Sequence, residues 1–117
     1  MMLRILVAAL LLTATAAPAV ADARDDAKKQ VEFGIQVAQK GLWREAIVRF
    51  ERASKIDPTY AAAYNNMGIG YEHEGELDKA RAAYEKALEL EPNNQLIKQN
   101  YELFKEINDR ATGGSDK

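Results

Sequence analysis

His73, the chain's one histidine, stands between Glu72 and Glu74, residue types that can move protons or ligate a metal. Their spacing argues against either role. Consecutive side chains on a helix point about 100° apart, so the three do not converge on one reacting atom. There is no cysteine to supply a nucleophile, a thiolate ligand or a disulfide. No nucleophile stands beside a base, and no glycine-rich phosphate loop of the G-x-x-x-x-G-K type occurs. The expectation is a non-enzymatic chain with no metal and no cofactor. Sixteen basic residues against eighteen acidic ones also argue against a nucleic-acid partner held by phosphate neutralisation.

A repeat organises the chain instead. Residues 61–94 match residues 27–60 at a constant offset of 34 positions: Gly68 on Gly34, Gly75 on Gly41, Ala80 on Ala46, Tyr84 on Phe50, Ala87 on Ala53 and Pro92 on Pro58. A fixed period of that length marks a helical repeat array. Each unit reads as a helical hairpin, with Gly34 and Gly68 expected opposite Ala46 and Ala80, where small side chains let two helices approach. Phe50 and Tyr84 are expected to fill the space between hairpins. Gly41 and Gly75 fall where the first helix of each unit must stop. Pro58 and Pro92 forbid continuation of the second helix.

The second copy resembles the tetratricopeptide repeat family through Tyr64, Met67, Gly68, Tyr71, Ala80, Tyr84, Ala87 and Pro92. In the first copy the matching residues are Gln30, Phe33, Gly34, Val37, Ala46, Phe50, Ala53 and Pro58. Gln30 departs from the family's usual aromatic. The resemblance implies an all-α fold, a right-handed α-solenoid of two hairpins with a capping helix.

Taken in order, residues 1–21 read as a signal peptide: Arg4, the apolar run from Ile5 to Leu12, and Ala19-Val20-Ala21 before a cleavage at Asp22. The apolar run is short of the ~20 residues that span a bilayer, so a membrane enters only if the leader stays uncleaved. Removal would export the chain, to the periplasm or outside the cell. Asp22 to Asp26 reads as a polar lead-in, with Asp25 or Asp26 capping a helix from Ala27 to Lys40. Leu42 to Ile56 is its partner, with Trp43 as a buried lid at the turn. Residues 61–74 and 77–90 repeat the hairpin. After the cap signal Asn93-Asn94, residues 95–109 read as one amphipathic capping helix with Leu96, Ile97, Tyr101, Phe104 and Ile107 as a single apolar stripe. Residues 110–117 read as a loose tail.

The inner face of such a stack is lined by the first helix of each unit, and the resemblance implies that another protein's peptide or helix segment docks there. By position the lining is Lys28, Val31, Glu32, Ile35 and Gln39, then Ala62, Asn65, Asn66, Ile69, Glu72 and His73, then Gln99, Leu103 and Glu106. Val31 and Ile35 stand where relatives that grip a C-terminal carboxylate need polar clamps, so chaperone-tail binding is not expected. The alternative is a self-associating homo-oligomer. Residues 27–60 carry seven basic and four acidic side chains, net +3, whereas residues 61–94 carry three and seven, net −4, and two hairpins are few for an array left open at its first face.

Overall fold

The computed structural model describes residues 17–113, which form five helices: α1 Ala17–Gln39, α2 Trp43–Ile56, α3 Ala61–His73, α4 Leu77–Leu90 and α5 Gln95–Gly113. The most extensive contacts are α1 with α2 and α3 with α4, two antiparallel hairpins. α3 then packs on α2 and α1, and α5 on α4 and α3. The result is an all-α helical solenoid. The backbones of α1 and α3, and of α3 and α5, approach one another closely, whereas those of α2 and α4 stay apart among the described residues. The first helices therefore form the inner side of the stack and the second helices the outer side.

The turns form where glycine allows them. Gly41 has φ 80° and Gly75 φ 73°, the left-handed conformation that ends a helix without a Cβ penalty. The tight helix approach has a different basis from the one expected. A Cβ on Gly34 would lie 2.5 Å from Phe50 Cε1, and one on Gly68 2.8 Å from Tyr84 Cδ1. The glycines make room for the aromatic rings, not for Ala46 and Ala80. Gly70, unremarked in the repeat, does the same for Ile47, whose Cγ1 would lie 2.6 Å from an added Cβ.

Three apolar clusters run along the stack. Phe50 is buried with Ala27, Val31, Ala46, Ala53 and Ala63; Tyr84 with Ile47, Tyr71, Ala80, Ala83 and Phe104; Ile97 with Ala61 and Ala87. Gln30, where the second unit has Tyr64, leaves its side-chain oxygen buried without a hydrogen-bond partner.

Both ends differ from the sequence reading. α1 begins at Ala17, ten residues before the expected start, so Asp25 and Asp26 lie inside the helix and cap nothing. The physical reason is the alanine-rich stretch, which has the highest helix propensity. Arg24 fixes this early part of α1: its guanidinium donates to the Asp57 carboxylate and to the Thr59 hydroxyl, and lies 4.8 Å over the Tyr60 ring. Of the leader expected over residues 1–21, residues 1–16 lie outside the described residues. α5 continues to Gly113, beyond the expected stop at 109, and residues 114–117 of the expected tail also lie outside. The amide of Ile97 donates to Asn94 Oδ1 at 3.2 Å, so Asn94 caps α5. Ile97 and Phe104 are buried, but Leu96 and Ile107 are exposed, so the expected single stripe on α5 is two.

Candidate functional site

Residues spaced three and four apart share a helix face, and on the inner side this brings Ile35, Ala38 and Gln39 of α1 opposite Asn66 and Ile69 of α3. Phe50, 1% exposed, forms the floor, and Trp43, the first residue of α2, closes one end. The cleft between them holds about 200 Å3. That is below the ~300–1,000 Å3 of small-molecule and cofactor sites and suits one inserted side chain. Its walls are apolar except for two amides. Asn66 Nδ2 donates to the carbonyl of Ala62 at 2.8 Å, which leaves the amide oxygen as an acceptor, and Gln39 is exposed.

Trp43 is not a buried lid. It is half-buried, and its ring stacks on His73 with centroids 3.7 Å apart and planes 8° apart. The stack joins the turn of the first hairpin to the last residue of α3, so it holds the mouth of the cleft across the boundary between hairpins.

The structure sorts the residues expected to line the inner face. Ile35, Gln39, Asn66 and Ile69 come together in the cleft, and His73 stands behind its Trp43 wall. Val31 does not line the face; at 4% exposed it is part of the first core cluster, because it turns toward Phe50 and Ala27. Asn65 is 5% exposed, and its Oδ1 accepts from Asn100 Nδ2 at 3.1 Å, so it fastens α3 to α5. Glu72 accepts a hydrogen bond from the Tyr84 hydroxyl at 2.8 Å. Lys28 and Glu32 are exposed on α1 outside the cleft, and Gln99, Leu103 and Glu106 are exposed on α5, also outside it. Sequence reasoning missed Ala38 and Phe50 as lining and misplaced Trp43. A signal for Trp43 was available: its repeat counterpart is Leu77, and both positions follow the turn glycine by two residues, at the mouth of a hairpin.

A second cavity of about 310 Å3 opens among α2, α3 and α4, lined by Arg44, Ile47, Glu51, Tyr71, Glu74, Glu76 and Lys79. It is larger, but its polar groups satisfy one another. Arg44 Nε lies 3.2 Å from Glu74, Lys79 Nζ 3.5 Å from Glu76, and the Tyr71 hydroxyl donates to Glu51 at 2.8 Å. Burial, then the hydrogen bond to Glu51, pushes the Tyr71 hydroxyl well above the usual phenol value. Burial and the Glu72 carboxylate do the same to Tyr84. Both tyrosines are thus held protonated as donors rather than poised as bases. Among the described residues no group of three or more His, Cys, Asp or Glu side chains is placed to hold a metal ion. No described helix is long and apolar enough to cross a membrane.

Residues 61–94 match the tetratricopeptide repeat model and residues 37–73 a second model of the same repeat. The chain is 32% identical to the chloroplastic tetratricopeptide repeat domain-containing protein PYG7 of Arabidopsis thaliana, over 73% of this chain and 28% of that protein. It is 30% identical to the type IV pilus assembly protein PilF of Pseudomonas aeruginosa, over 69% of this chain and 32% of that protein. It is 40% identical to the heat shock protein STI1 of Saccharomyces cerevisiae, over 38% of this chain and 8% of that protein. The chain therefore spans less than a third of the length of each of these relatives.

Proposed function

From the premise that this chain is a tetratricopeptide repeat protein, a fold that generally serves protein–protein interaction without catalysis, we propose that it is an exported adaptor whose inner face receives a peptide or helix segment of another protein. The observation that carries this reading is the apolar cleft of Ile35, Trp43, Phe50 and Ile69, flanked by the amides of Gln39 and Asn66. An apolar side chain of the partner fills the cleft while the two amides pair with its backbone. Burying such a side chain contributes about 1.5–3 kcal/mol, enough for an anchor and too little for tight binding alone. The neighbouring contacts along α1 and α3 set the remainder.

Export rests on the leader-like residues 1–21, and it places the partner in the cell envelope. A mature protein recovered from that compartment has a mass corresponding to a start at Asp22; a full-length product in the cytoplasm would remove this part of the reading.

The binding test uses the chain's single tryptophan as its own reporter. Peptides selected from a display library against the purified protein are expected to carry an aromatic or large aliphatic residue and to perturb Trp43 fluorescence saturably. Ile69→Glu, which sets an unpaired charge into the cleft wall, is expected to weaken that binding at least tenfold while helicity is kept. Selected peptides that bind Ile69→Glu unchanged would place the site elsewhere.

A further inference from the structure

We infer that the stack of Trp43 on His73 is a proton-dependent clamp on the inner cleft: a charged His73 holds the indole wall in place, and a neutral one lets it loosen. The inference rests on the reading of that cleft as the docking site. The shape of the stack carries it. The ring centroids are 3.7 Å apart and the planes 8° apart, which leaves little room for an offset between the two faces. Neutral aromatic rings avoid such overlap because both faces are negative, and they settle offset or edge-on at about 4.5–7 Å. Other ring pairs of this chain do so: Tyr84 with Tyr101, Tyr84 with Phe104 and Tyr101 with Phe104 lie 5.9, 5.5 and 6.3 Å apart. A cation over an indole face behaves differently, since the negative face attracts it. Imidazolium is a flat cation of the right shape, and histidine as a residue type gains or loses that charge between about pH 5 and 8.

The position suits a cation. His73 is the last residue of α3, where the unpaired carbonyl ends of the helix attract positive charge. Beside it, Glu72 accepts from the Tyr84 hydroxyl at 2.8 Å, and Glu74 is 3.2 Å from Arg44 of α2. Glu45 of α2 lines the same hollow as Trp43, Arg44 and Glu74. From α1 comes the uncharged Gln39, which lines the cleft with Trp43, followed by Lys40. At the start of α4 Glu76 pairs with Lys79, and near the same end of α5 Glu106 pairs with Arg110. Five carboxylates face four cations, so the surroundings hold no positive excess for a charged His73 to overcome.

His73 reaches the cleft only through Trp43, which makes it a positioning residue. A side chain buried against Trp43 binds best when the indole is already fixed, because less ordering remains for binding to supply. Proton uptake at His73 and peptide binding therefore favour each other. Binding is tighter at the acid end of the histidine range and weaker at the alkaline end. One exposed cation–π contact corresponds to about two- to fivefold in affinity.

The test uses a display-selected peptide that lacks histidine and has blocked ends. Without peptide, wild-type Trp43 fluorescence is expected to change in one step between about pH 5 and 8, and that of His73→Gln to stay level. The peptide is expected to bind the wild type about two- to fivefold more tightly at the acid end. His73→Gln, which cannot take the charge, should bind weakly at both ends of the range. His73→Arg puts a permanent flat cation over the indole and should bind tightly at both. His73 is exposed, so both variants keep their helicity by circular dichroism. Level wild-type fluorescence overturns the proposal. So does a step with no change in affinity, a pH dependence that survives in His73→Gln, or weak binding by His73→Arg. If no peptide binds at either pH, the docking reading falls, and the fluorescence step without peptide still decides whether a proton holds the stack.

Discussion

Asp57 lies in the turn that joins the hairpins, 7% exposed, and accepts hydrogen bonds from the Thr59 amide at 3.0 Å, from the Thr59 hydroxyl at 2.7 Å and from the Arg24 guanidinium. Burial pushes the carboxyl up, but the Thr59 hydroxyl, Arg24 and the Thr59 amide together outweigh it and hold its pKa below 3.8, the ordinary value. A carboxyl depressed in the folded state binds its proton more readily in the unfolded chain. It therefore stabilises the fold fully above about pH 4, and that stability drains away as pH falls toward the folded-state pKa. Thermal melts between pH 7 and pH 2 should show this loss in the wild type and a smaller one in Asp57→Asn; equal acid sensitivity in the two would deny Asp57 the role. Little of this was legible beforehand. Arg24 sits 33 residues upstream, in a stretch that reads as a polar lead-in, and no local pattern announces a partner so distant. Asn65 misled for the same reason: its type suggests a peptide contact, and only the placement of Asn100 on α5 shows that its oxygen is already taken.

Where helices stop was more legible than what they touch. α2, α3 and α4 follow the expected spans to within a residue because Gly41 and Gly75 at positive φ, and prolines after α2 and α4, punctuate the chain chemically. The partners across each hairpin depend on side-chain direction, which spacing alone does not set, so rings and not alanines proved to face the helix glycines. The distinction is measurable. Gly68→Ala drives a methyl group to 2.8 Å from the Tyr84 ring, itself 1% exposed and unable to retreat, and overpacking of this kind costs about 1–3 kcal/mol. Gly75→Ala meets nothing within 4 Å but is held at φ 73°, and the left-handed strain costs about 1–2 kcal/mol. Urea unfolding of the two variants should show both destabilised. Restoring space with Tyr84→Leu should recover part of the loss in Gly68→Ala and none in Gly75→Ala. No recovery at Gly68 would mean that helix separation is not set by that contact.

Two hairpins and one helix fold together only if burial is continuous from end to end, since stacked repeats couple through neighbouring interfaces. Met67 supplies the link, packing against both the cluster around Phe50 and the cluster around Tyr84. At the far end Phe104 of α5 is 1% exposed, with its ring centroid 5.5 Å from that of Tyr84. Phe104→Ala should remove about 3–5 kcal/mol, a large share of the ~5–15 kcal/mol by which domains are stable. Were the array loosely coupled, that loss would fray α5 and leave the first hairpin untouched. Continuous packing through Met67 instead requires the whole chain to weaken at once. Trp43 reports the first hairpin and far-ultraviolet dichroism reports all five helices. In Phe104→Ala both signals should move to lower denaturant together and keep a common midpoint. A tryptophan transition left at its wild-type midpoint would show that the first hairpin stands without the cap, and that the stack is a chain of separable units.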